Sequence, residues 1–247
     1  MKQGAAVMAV AAALVLVVPP GAQAQSGSGD WQVAIAPYLW AAGLDGTMTI
    51  AEQEQDFDLP FSTIIDNLDF ALMGHFDMRN ERWVLMSDLI YVDLEDRQEL
   101  EHGSVTAGLE LTLIEAVAGY RVSPAVSLLA GARWADMAAS IRASGEVAAG
   151  DADAGESWLD PLLGVHVLET LSERWWFGLR ADVGGFGVGS ELAWQAYADL
   201  GYRVSKTVSI IVGYHALDLD YESGGDVRGA DLDVRLSGPQ LGVVFAF

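Results

Sequence analysis

Three histidines and a set of opposed charges carry whatever chemistry this chain can do. His75, His166 and His215 are far apart in sequence, and each imidazole is a potential general base or metal ligand. No Ser-His-acid set emerges from the spacing, so a histidine paired with a carboxylate is the expected state. Asp69, Asp77, Asp88, Glu115, Asp182 and Asp199 are interspersed with Arg79, Arg121, Arg133, Arg180 and Arg203. Gathered on the inner face of a closed wall, these groups would neutralise one another as a charge network. The alternative is a narrow gated path for small polar solutes. No metal site, cofactor or catalytic set is expected.

Other stretches invite a ligand and fit one poorly. Residues 184–190 are glycine-rich but do not match G-x-G-x-x-G, and no parallel sheet surrounds them. Tight hairpin geometry accounts for them. The acidic stretch 218–233 offers oxygens to Ca²⁺ without the spacing of a calcium loop. A solvated face, bridged by divalent ions to lipopolysaccharide, fits it better. Residues 58–68 read as a short helix with Asp58 as cap and Pro60 in the first turn. Phe61, Ile64, Ile65 and Leu68 form one apolar stripe on it, either across a rim or tucked inside as a plug.

The elements that must position these groups are strands. Period-two alternation resolves about ten amphipathic segments: 31–43, 67–79, 83–95, 104–121, 125–140, 159–171, 175–187, 191–204, 207–221 and 231–247. Short connections (80–82, 123–124, 172–174, 205–206) alternate with longer ones (44–66, 96–103, 143–158, 222–230), as in transmembrane barrels. Arg79, Arg82, Arg121, Arg174, Arg203 and Lys206 cluster at the short turns. Acid fills the long loops, for example Glu52, Asp56, Glu99, Glu146, Asp153 and Asp226. A soluble sandwich has no reason to divide charge by turn length.

One face of these strands is apolar and studded with aromatics. Trp83 and Tyr91 share a face eight residues apart, as do Trp194 and Tyr202. At about 3.3 Å per residue and a tilt of about 40°, that interval rises roughly 20 Å, comparable with a lipid-facing band. Tyr120, Trp134, Trp175 and Tyr214 fall on equivalent outward faces. Three positions fit badly: Glu115 calls for a bulge or register change, Glu169 faces outward near the short-turn edge, and Gly238-Pro239 calls for another bulge.

Both ends of the chain carry address signals. Lys2, an apolar run over 5–18, Pro19-Pro20-Gly21 and an A-x-A site predict a signal peptide over 1–24, cleaved between Ala24 and Gln25. That leaves 247 − 24 = 223 residues for one domain, 25–247. There is no cysteine, and no later run of 18 apolar residues, although 51% of the chain is hydrophobic. A net charge of −22 argues against nucleic acid as a partner. At the other end, Gln240, Gly242, Phe245 and Phe247 have the spacing of the assembly signal on a final barrel strand.

The chain resembles a family of bacterial outer-membrane β-barrel proteins, porin-like and similar in style to opacity-type surface antigens. The resemblance lies in Pro37-Tyr38-Leu39-Trp40, Gly43-Leu44-Asp45-Gly46, Asn67-Leu68-Asp69-Phe70, the run 88–94, two Gly-Tyr-Arg triplets (119–121 and 201–203), the run 184–190 and Ser237-Gly238-Pro239. It implies a barrel in the outer membrane of a Gram-negative bacterium and no catalytic residues. The expected architecture is all-β, a single antiparallel transmembrane barrel of about ten strands, with eight or twelve as alternatives. The expected function is a non-enzymatic surface protein, structural or passing small polar solutes. The alternatives are a lipid or peptide hydrolase at the rim, and an adhesin or receptor working through acidic loops. Expected partners are outer-membrane lipids, lipopolysaccharide, the barrel-assembly machinery and periplasmic chaperones.

Overall fold

Alternating side chains make each strand two-faced, and a sheet of such strands closes on itself to bury one face and leave no edge. The computed structural model describes residues 31–50, 53–100, 102–145, 150–222 and 230–247. The expected signal peptide, its cleavage site at Ala24 and Gln25, and Glu52, Glu146 and Asp226 lie outside the described residues. The wall begins with β1 (Gln32–Trp40), β2 (Gly43–Ile50), β3 (Gln53–Leu59), α1 (Phe61–Asp66) and β4 (Leu68–Arg79). It continues through β5 (Trp83–Leu100), β6 (Gly103–Arg121), β7 (Val126–Gly145) and β8 (Gly150–Thr170). It ends with β9 (Trp175–Gly185), β10 (Leu192–Arg203), β11 (Val208–Tyr221) and β12 (Ala230–Ala246).

β1 and β4 to β12 form a closed antiparallel barrel of ten strands, sealed by pairing of β1 with β12. β2 and β3 are two further outer strands. The segment 44–66 is therefore not the single long loop expected. β2 continues β1 along the same edge of β12, with Trp40 opposite Gln240 and Gly43 opposite Ser237, and β3 folds back beside it. Pro37, opposite Gly74, is the last β1 residue paired with β4, because proline brings no N–H to the ladder. Past that point the Trp40 N–H reaches Met73 Sδ at 3.3 Å.

Two more of the long loops prove to be mostly strand. β5 with β6, and β7 with β8, carry their ladders far beyond the aromatic bands. Both faces meet water there, as the exposed runs 95–100 and 150–157 show, so period two leaves no mark on the sequence. Neither expected bulge forms. Glu115 points inward from an unbroken β6, opposite Asp88 on one side and Arg133 on the other. β12 runs without slippage through Gly238-Pro239, because it exchanges partner from β1 to β2 there. A bulge occurs instead between Leu68 and Phe70. Glu169 is exposed, facing outward.

The helix is shorter than expected. Pro60, not Asp58, is its N-cap, with no side-chain cap hydrogen bond, and Leu68 already belongs to β4. Its residues lie at the long-loop rim with none buried.

Candidate functional site

The inward faces build three layers. Nearest the long loops the lumen is filled with apolar side chains. Trp40, Leu44, Ile90, Leu111, Leu113, Trp158, Leu217, Leu219, Val234 and Leu236 are all buried, and Phe57, Leu59 and Ile64 pack onto them from β3 and α1. Trp40 stacks on His215 at 4.1 Å and donates from Nε1 to the His215 carbonyl oxygen. Trp158 stacks on Tyr221 at 4.4 Å.

The middle layer is a closed ion-pair network. Arg133 Nε donates to Glu115 Oε1 at 2.7 Å and its Nη2 to Asp182 Oδ1 at 2.9 Å. Arg180 Nη2 donates to Glu115 Oε2 at 2.7 Å, and its Nε lies 2.9 Å from Asp182 Oδ2 off the hydrogen-bond axis. Gln195 Nε2 lies 2.7 to 2.9 Å from oxygens of both carboxylates. That fixes the amide: its Oε1 faces His215 Nε2 at 3.1 Å, so this nitrogen carries the proton. Two carboxylates and two guanidiniums cancel in formal charge, which is what permits ions out of contact with water.

Toward the short turns the lumen opens into a cavity of about 270 Å³. Tyr38 Oη donates to Asp88 Oδ1 at 2.7 Å, and His75 Nδ1 lies 2.9 Å from Asp88 Oδ2. Arg79 Nε donates to Asp77 Oδ1, Gln240 Nε2 donates to Asp199 Oδ1, and His166 lines the same space.

Three residues expected in the lumen charge network make no ion pair in it among the described residues. Asp69 is exposed in the β4 bulge, where the extra residue falls out of the alternation. Arg121 donates to the carbonyl oxygens of Asn80 and Pro124, tying two short turns together. Arg203 reaches Glu173 O and Thr170 Oγ1 at the cavity mouth and meets no carboxylate among the described residues. Long guanidinium arms near a strand end reach unsatisfied turn carbonyls more readily than groups deep in the barrel.

The outward aromatics form a lower band, with Trp83 against Tyr120 at 5.3 Å and Trp175 against Tyr202 at 4.9 Å. Tyr91, beside Phe70, and Trp194, under the Arg235 guanidinium, mark the upper band. Trp134, level with Ile114 and Leu89, lies just below Tyr91. Tyr214, opposite Ala198, lies midway between Trp194 and Tyr202. The C-terminal signal divides: Phe245 and Phe247 are exposed, whereas Gln240 and Gly242 are buried inside.

Sequence reasoning missed Tyr38, Trp158, Asp160, Tyr197 and Gln240 as lumen groups; Gln195 falls on the polar, inward face of its strand, as its alternation with Trp194 and Tyr202 predicts. One signal existed. Along β11 the outward residues are Ile210, Val212 and Tyr214, then Asp218 and Asp220, while the inward ones pass from Ser209 and His215 to Leu217 and Leu219. The alternation inverts where the outer medium changes from lipid to water.

No protein-family model matches the chain, and no curated protein sequence matches it. Among solved structures, the outer membrane protease OmpT of Escherichia coli superposes with a TM-score of 0.54 at 9% identity, over 90% of this chain and 99% of that one. This is an outer-membrane β-barrel fold. The translocator domain of the autotransporter NalP from Neisseria meningitidis (13% identity, 90% of each chain, TM-score 0.45) is a more distant likeness. So is the attachment invasion locus protein Ail of Yersinia pestis (11% identity, 90% of this chain and 100% of that one, TM-score 0.39). At these identities the likeness extends to the barrel fold and no further. Among the described residues no helix is long and apolar enough to cross a membrane; the strands of this barrel are the elements built to do so.

Proposed function

We propose that this chain is a non-enzymatic structural barrel of the Gram-negative outer membrane, closed toward the outside and hollow toward the periplasm. The observation that carries it is the packed apolar cluster from Trp40 to Leu236 lying over the Glu115–Arg133–Arg180–Asp182 network. Among the described residues this plug interrupts the polar lining of the lumen, so solute passage is the weaker branch. Planar-bilayer recording tests this: no single-channel steps are expected, and reproducible steps would overturn it.

A hydrolytic alternative draws on one contact, the His75–Asp88 pair oriented by Tyr38 on the cavity wall. A general base needs a nucleophile or water within reach. Phospholipid or peptide turnover abolished by His75→Ala would favour it over the structural proposal.

The same proposal assigns partners. The two aromatic bands face lipid, the acidic rim meets lipopolysaccharide through divalent ions, and Phe247 presents the final strand to the assembly machinery. An N-terminal sequence of the membrane-extracted protein beginning at Gln25 would support export and cleavage; an intact Met1 would count against it.

A further inference from the structure

The cavity at the short-turn end changes charge with depth. Strand register fixes the order. Arg79 ends β4 and Arg203 ends β10, so both stand at the mouth, and Asp199 lies four residues deeper on β10. Along a strand that is about 13 Å between Cα atoms, which the side chains shorten to the span of a small molecule.

The deep acids are not equally engaged. Asp88 gives one oxygen to Tyr38 and the other to His75. Asp199 is buried and accepts from Gln240 through Oδ1 at 2.6 Å, while no hydrogen bond among the described residues reaches its Oδ2. Asp77, 3% exposed, receives Arg79 through Oδ1, and its Oδ2 is buried without a partner. A buried carboxylate oxygen lacking a donor is costly, and native structures seldom leave one so. The ring of Trp176 lines the same cavity and occupies the space a Cβ on Gly201 would need, two residues along β10 from Asp199. An aromatic face next to spare carboxylate oxygens suits an ammonium group.

We propose that this cavity binds a small zwitterion, its amine against Asp199 and Asp77, its carboxylate or phosphate at Arg79 and Arg203. A simple cation would be repelled at the mouth, and a simple anion in the interior. The volume of about 270 Å³ lies at the small end for ligand sites. The proposal rests on the barrel being hollow only toward the periplasm. The ligand is either a free periplasmic solute or the headgroup of a zwitterionic phospholipid.

Calorimetric titration of the intact barrel in non-ionic detergent separates these outcomes. The probes are O-phosphoethanolamine and γ-aminobutyrate, dihexanoyl-phosphatidylethanolamine as the lipid arm, and ethylammonium and inorganic phosphate as single-charge controls. Saturable binding of a zwitterion at least about tenfold tighter than either control is expected, a difference near 1.4 kcal/mol. Comparable binding of soluble and lipid probes assigns a free solute, and binding of the lipid probe alone assigns a headgroup. Asp199→Asn and Arg203→Gln should each weaken binding about tenfold. Arg203 is half-buried at the rim, so its variant keeps the test valid if Asp199→Asn fails to fold. No saturable zwitterion binding, controls that bind as tightly, or an unaffected Arg203→Gln would overturn the proposal. Conductance is read separately, so failure here leaves the closed barrel standing.

Discussion

Arg133 and Glu115 face one another across the β6–β7 ladder, with Nε 2.7 Å from Oε1 and both side chains shut away from solvent. The pair is held in turn by Asp182, Arg180 and Gln195. Removing one partner strands the others, which costs about 3–5 kcal/mol in a buried network. Glu115→Ala should lower unfolding stability in micelles by that order, measured by urea denaturation. The double variant Glu115→Leu with Arg133→Met should lose markedly less than the sum of its single changes. Additive losses would show that the two groups do not act as a pair.

Trp40→Ala removes a buried ring stacked on His215 and its Nε1 hydrogen bond. A loss of about 3–5 kcal/mol follows from a cavity of that size. The barrel should nevertheless stay silent in bilayer recordings, because the ion-pair layer lies beneath. Channel steps from the single variant would show that the apolar layer alone closes the lumen.

Asp160 accepts from both Ser190 N–H and Ser190 Oγ at 2.7 Å, and from Trp158 Nε1 at 3.2 Å. It thereby clamps a turn in which Gly185, Phe186 and Gly187 all have positive φ, a conformation that favours glycine. Asp160→Ala should cost about 1–3 kcal/mol from the donors left unpaired. Hydrogen exchange at the Ser190 amide should accelerate accordingly, and unchanged protection would refute the clamp.

Asp220 and Asp233 are directly opposed on β11 and β12. Like charges in that position are destabilising, by about 0.2–1 kcal/mol. Asp233→Asn should therefore raise thermal stability at low ionic strength, with the gain shrinking as salt screens the pair. A loss of stability at low salt would mean that the two carboxylates share a cation.

The fold was largely legible because a barrel writes a global fact into local pattern. Each strand between Trp83 and Ala246 separates two media, so alternation marked its course and the paired aromatics marked lipid boundaries. The signal failed where the two media became one. The distal parts of β5 and β8 stand in water on both faces, and their residues gave no alternation to read. It also failed at Gly238-Pro239, where a change of strand partner, invisible in sequence, replaced the expected bulge.

By itself the sequence determined an antiparallel wall of about ten strands, most of its inward and outward faces and the end at which charge is basic; closure of β1 on β12 decided the number. The lumen was decided only by the tertiary structure. Glu115 and Gln195 are 80 residues apart, and nothing local states that β6 and β10 lean across the same interior. Whether inward groups meet depends on shear and height, which closure alone fixes. For the same reason Asp199 finds Gln240 while Arg121 and Arg203 turn to carbonyl oxygens, although all four share the inward face of their strands.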